Sequence, residues 1–105
     1  MMTIRGTSDG CLQSVAEALA HYEERHDNAD IVVYRHNSVS VRIRIVDPDF
    51  DGINKAERHD IVWNFVKDLP EEQQSEISLL LLLTPDEVER SFANDEFDHP
   101  IPSPL

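Results

Sequence analysis

Cysteine is almost missing from this chain. Its 105 residues include one, Cys11. A single thiol forms no internal disulfide, and without a Cys-x-x-Cys pair there is no thiolate cage for a metal. A reducing cytoplasm suits such a chain. Long apolar runs are scarce too. The longest, the leucines at 79–83, falls far short of the roughly 20 residues that span a bilayer. The first ten residues, MMTIRGTSDG, hold Arg5 but no apolar signal core, so neither export nor membrane insertion is expected. Basic residues are few: 9 Lys and Arg stand against 21 Asp and Glu, a formal charge of -12. Beyond residue 70 the only basic side chain is Arg90. Nucleic-acid binders neutralise phosphates with Lys and Arg, so the balance disfavours nonspecific DNA or RNA binding by the whole molecule. The G-x-S-x-G, P-loop and G-x-G-x-x-G motifs are also lacking, and Cys11 has no evident base beside it, so the chain is not expected to be an enzyme.

What is present reads as one small α+β domain, since this length can bury a core without disulfides. Leu12, Val15, Leu19 and Tyr22 recur at helical spacing, predicting a first helix over about 10–26 capped by Ser8 or Asp9. After the polar HDNAD, IVVYRH reads as a strand. The next strand alternates Val39, Val41, Ile43 and Ile45 with Ser40, Arg42 and Arg44. Only Asn37 and Ser38 separate the two, which predicts a tight antiparallel hairpin. The turn-rich DPDFDGIN leads to a second helix through Asn54 and Glu57. Val62, Phe65, Val66 and Leu69 line its apolar side, and Pro70 ends it. EEQQSE reads as a polar connector or one further helical turn.

The leucine run is too short for a buried helix, because Thr84, Pro85 and Glu87 announce another helix at once. It is therefore expected to be a strand, apolar on both faces, in the interior of a three-stranded sheet with helices on one face. Another layer or a partner subunit would cover the other face, so a homodimer is compatible with this reading. Val88 and Phe92 are expected to anchor the last helix. Residues 1–9 are expected to be a flexible N-terminus, 10–94 the domain and 95–105 an acidic, proline-spaced, unpacked tail.

Five histidines invite a metal reading. His21 and His26 are five apart and offset on the first helix, and His99 sits in the tail, leaving His36 and His59 on ordered elements. Nothing around them forms a ligand pattern, and surface histidines explain them more simply. Asp47, Asp49 and Asp51 alternate as in a calcium loop, but the position needing a bidentate Glu is Arg58. No metal site is expected. Arg42 and Arg44, near Arg35 on the neighbouring strand, form either a solvated strand face with local ion pairs or a ligand-binding strip. Trp63 belongs to the core or to an interface.

The stretch from Val41 through Glu87 resembles the BolA family. The shared features are an aliphatic strand leading to Phe50-x-Gly52, then Arg58-His59 with Val62 in an R-H-x-x-V spacing, then Leu69, and Thr84-Pro85-x-Glu87 after a strand. With the preceding helix and strand, the resemblance covers about 10–92. It implies a helix, two strands, helix, strand and helix, close to a class II KH domain. It also implies a partnership with a monothiol glutaredoxin around a shared [2Fe–2S] cluster, and for some members DNA binding in transcriptional regulation. The family's cluster ligands are a His at the start of the last strand and a Cys or His in the loop between the first two strands. Here the strand position falls on Glu76, or on Ile77 one register later, and the hairpin is short, with His36 nearby. A carboxylate is a poor substitute for an imidazole at iron–sulfur clusters. Gly52-Ile53-Asn54-Lys55 also lacks the second glycine of a KH G-x-x-G loop.

The expectation is therefore a non-catalytic BolA-like module acting through protein contacts, without a typical cluster. Its expected surface joins His36 to Glu76, with His59 and Trp63 as secondary candidates. The alternative is a nucleic-acid-binding regulator using Arg42, Arg44, Lys55 and Arg58. A metal-dependent enzyme is the third class, and it has no convergent site.

Overall fold

The alternating aliphatics at 41–45 set the sheet. In a computed structural model, which describes residues 1–102, they lie on strand β3 (Ser40–Val46), paired antiparallel with β2 (Asp30–Asn37). Ile31 lies opposite Ile45 and Val33 opposite Ile43, so four branched residues meet on one face. Helix α1 (Gly10–Arg25) covers this face with Leu12, Val15, Leu19 and Tyr22, all buried. Asp9 caps it, accepting the Leu12 N–H at 3.0 Å. Helix α2 (Lys55–Val66) adds Val62 and Val66 to the same core. It starts as the sequence indicates: Asn54 accepts the Glu57 N–H at 2.9 Å and donates to the Glu57 carboxylate at 3.1 Å. A single helical turn, α3 (Glu71–Glu76), leads into β4 (Ile77–Leu83), which runs parallel to β3.

The α+β class stands, with corrections to its details. Among the described residues the sheet has four strands, because Met2–Arg5 forms β1, parallel to β2, where a flexible terminus was expected. The strand order is β1-β2-β3-β4, so the leucine strand lies at the sheet edge rather than in its interior. The hairpin turn falls on Ser38 and Val39, one residue later than expected, and leaves Val39 exposed. Helices are not confined to one face: α4 (Phe92–Asp98) lies on the other. There Phe97, fully buried, packs with Val32, Tyr34, Leu79 and Leu81. The expected unpacked tail therefore does not begin at 95. Phe92, expected as an anchor, is instead 94% exposed. Residues 103–105 of that tail lie outside the described residues.

Thr84-Pro85 starts a 3-10 segment, Pro85–Arg90, in which Glu87 accepts the Thr84 N–H at 2.8 Å. No described helix is long and apolar enough to cross a membrane.

Candidate interaction site

Where the hairpin end meets the start of β4, three charged residues lock together. Arg35, on β2, donates from Nε to Asp9 at 2.5 Å and from Nη1 to Glu76 at 2.9 Å. The same Nη1 also reaches the Asn37 and Ser38 carbonyls at 3.2 and 3.3 Å, so the guanidinium braces the turn as well. Its hydrogen bond from Arg35, then the one from the Leu12 N–H, holds the Asp9 carboxyl below its usual range. Cys11 adjoins the cluster. Burial first, then the hydrogen bond and charge of Glu76, push its thiol up to about 11, so it is not a thiolate near neutral pH. Arg35 rather than His36 is thus the hairpin residue that reaches Glu76. His36, next along β2, is half-buried.

The four arginines of the sheet strands are committed to the chain's own groups. Arg42 binds Glu96 at 2.6 Å and Arg44 binds Asp98 at 2.8 Å. Arg44 also donates to Asn94 at 2.8 Å and lies over the Phe97 ring at 4.9 Å. Arg5 joins Asp98 at 2.6 Å. Burial works to raise the Asp98 carboxyl, but hydrogen bonds from Arg5 and Arg44 keep it below its usual range. Acidic α4 therefore covers Arg42 and Arg44, while Arg35 is held as described. Arg58 is only 5% exposed and donates to Glu87 at 2.6 Å and to the Leu82 carbonyl at 3.1 Å. Of the nucleic-acid candidates only Lys55 is exposed.

No protein-family model and no curated protein matches the chain. Two solved structures do. The BolA domain of SufE1 from Arabidopsis thaliana aligns with a TM-score of 0.56 at 22% identity, covering 78% of this chain and 100% of that one. BolA1 from Arabidopsis thaliana aligns with a TM-score of 0.51 at 19% identity, over 76% of this chain and 98% of that one. The chain has the BolA fold.

On this BolA fold the candidates divide into two groups. Glu76 sits in the Arg35 cluster at the start of β4. His59 and Trp63 lie on α2, their rings stacked 5.6 Å apart, and exposed His59 lines a groove with Lys55 and residues 80–83 of β4. The Glu76 cluster does not suit an iron–sulfur cluster: its carboxylate is paired with Arg35 and its thiol is held protonated.

One constellation escaped the sequence reading. His26, Asp47 and Asp49 each offer a ligand-type atom within 4.8 Å of the others. His26 Nδ1 is 2.7 Å from Asp49 and 3.3 Å from Asp47. Asp47 is fully buried, accepts the Tyr22 hydroxyl at 2.6 Å and caps the turn at Asp49. Burial first, then the bond to Asp47, raises the Tyr22 hydroxyl well above its usual range. The His26 ring stacks on Tyr22 at 4.0 Å. These contacts tie the end of α1 to the turn after β3. Asp51, the third alternating carboxylate, is not among them. The D-P-D run and a histidine ending the first helix were the only sequence signal.

Proposed function

We propose that this chain is a non-catalytic BolA-like module of the cytoplasm that works through protein contacts. Its partner class is a monothiol glutaredoxin, and it contributes no ligand set of its own to a [2Fe–2S] cluster. The supporting observation is the Asp9–Arg35–Glu76 lock. It fills the place where the BolA resemblance puts a histidine ligand with an ion pair that needs no metal. The partner-facing surface is the hairpin end at Arg35 and His36 together with Glu76, and the stacked His59 and Trp63 are secondary. The BolA fold and the resemblance across about 10–92 supply the partner class.

Isothermal titration of this chain with an apo monothiol glutaredoxin tests the reading. Saturable binding that weakens on His36→Ala or Arg35→Ala is expected. Binding absent for the native chain, or indifferent to both substitutions, would remove the surface.

A further inference from the structure

Among the described residues Asp47 is the only buried carboxylate, and none of its surface reaches water. A buried charge needs an opposite charge to offset the loss of hydration. Buried Arg58 has Glu87 for this purpose. No described Lys or Arg pairs with Asp47. Its ion-pair neighbour is His26, whose Nδ1 lies 3.3 Å away and also faces Asp49 at 2.7 Å. A proton on that ring supplies one positive charge against two carboxylates and leaves the group at about -1. A divalent cation bound to the neutral imidazole balances both.

The atoms that would bind it are already held in place by contacts that need no ion. Tyr22 donates to Oδ2 of Asp47 at 2.6 Å, and the Asp49 N–H donates to Oδ1 at 2.9 Å. The His26 ring lies on the Tyr22 ring, 12° from parallel, with Nδ1 towards the carboxylates. Metal-binding carboxylates and imidazoles are oriented by outer partners of this kind. On a tetrahedral ion with bonds of about 2.0–2.1 Å, neighbouring ligand atoms stand about 3.3 Å apart. His26 and Asp47 already meet that spacing. The shorter approach to Asp49 opens by a small rotation of an exposed side chain. Since Asp49 is exposed and His26 half-buried, water can reach the fourth position.

We propose that His26, Asp47 and Asp49 form a zinc site that clips the end of α1 to the turn after β3. The donor set selects the ion. An imidazole nitrogen with two carboxylates, three protein ligands in all, suits zinc with water in its fourth position. Calcium takes six or more oxygens and no nitrogen. The chain's one thiol, Cys11, lies instead beside Glu76. The ligands come from segments that meet only on folding, so bound zinc stabilises the folded chain. Asp47 follows Val46, which pairs with Asp30 at the start of β2, whereas Arg35 lies near the other end of that strand. The site is therefore separate from the Arg35 cluster, and the inference does not depend on a glutaredoxin partner.

The test is isothermal titration of the full chain, freed of metal with a chelator, against zinc chloride and in parallel against calcium chloride. One zinc per chain is expected, with calcium bound far more weakly. His26→Gln and Asp49→Ala should each weaken zinc at least about tenfold. His21→Gln and His99→Gln, at histidines outside the group, should leave it unchanged. Far-UV circular dichroism checks the fold of each variant, and Asp49, exposed on its turn, serves if His26→Gln does not fold. Zinc at about 100 times its dissociation constant should also raise the thermal midpoint of the native chain by roughly 10 °C, and that of Asp49→Ala by about half as much. No zinc bound, calcium bound as tightly as zinc, or an unshifted midpoint would overturn the proposal. So would zinc affinity that survives Asp49→Ala, or that falls as far in His21→Gln or His99→Gln.

Discussion

Replacing Arg58 should be the most damaging single change at an ionised side chain. The guanidinium is buried in the second turn of α2 and connects three elements. It donates to the Ile53 carbonyl at 2.7 Å, to the Leu82 carbonyl at 3.1 Å and to both Glu87 oxygens at 2.6 and 3.3 Å. It also lies over the Phe50 ring at 5.5 Å. In Arg58→Ala the two carbonyls lose their side-chain donor, at about 1 kcal/mol each. Glu87 loses its ion pair, but its side chain is 32% exposed and water can take over, which limits that loss to about 1 kcal/mol. The ring contact adds about 0.5 kcal/mol. The expected destabilisation is therefore about 3.5 kcal/mol, read from urea unfolding at unchanged slope. Arg58→Lys keeps the charge but not the planar fork and should lose about half as much. An alanine variant within about 1 kcal/mol of the native chain, or a lysine variant equal to it, would refute this account of the R-H motif.

The remaining predictions concern acid, the last helix and the buried aspartate. The Arg58 hydrogen bond first, then the Thr84 N–H, hold Glu87 down at about 2 against its ordinary 4.5. A lowered carboxyl contributes stability that is fully present above pH 4.5 and lost as pH falls towards 2; unfolding across that window should show a shallower acid limb in Arg58→Ala than in the native chain. Phe97→Ala should cost about 3 kcal/mol in the same unfolding assay, because the ring is fully buried on the arginine face; an unchanged midpoint would mean that α4 does not pack there. Tyr22→Phe takes a donor from buried Asp47 and should cost about 1–2 kcal/mol, measured by thermal or urea unfolding; a neutral result would show Asp47 satisfied without it.

Much of the fold was legible because side-chain periodicity reports faces. The spacing of Leu12, Val15, Leu19 and Tyr22 gave α1, and all four are buried. The alternation on β3 gave its orientation, and the Asn54–Glu57 pair the start of α2. The leucine run shows where this reasoning stops. Apolarity on both faces correctly implied cover on both, supplied by the α1–α2 layer and by Phe97. Whether a strand is central or at an edge depends on backbone neighbours, which side chains do not encode. Likewise β1 has four residues and no period to read; it is a strand because β2 offers a parallel edge.

The C-terminal segment misled for a different reason. Its acids looked like a solvated tail, yet Glu96 and Asp98 each meet an arginine 54 residues earlier in the chain. Charge composition describes a segment in isolation and cannot show such pairing. The same holds at the candidate site, where Glu76 was singled out as a lost ligand but its partner Arg35, 41 residues away, was not. His26, Asp47 and Asp49 were each noted, but on different elements, and only the chain's return after β3 brings them together.

The most direct test of the proposed function is visible circular dichroism of a cluster-loaded monothiol glutaredoxin titrated with this chain, beside a Glu76→His variant. An unchanged cluster spectrum with the native chain and an altered one with the variant are predicted, since the imidazole would replace the Arg35-paired carboxylate. A spectrum altered by the native chain would contradict the claim that it brings no ligand of its own.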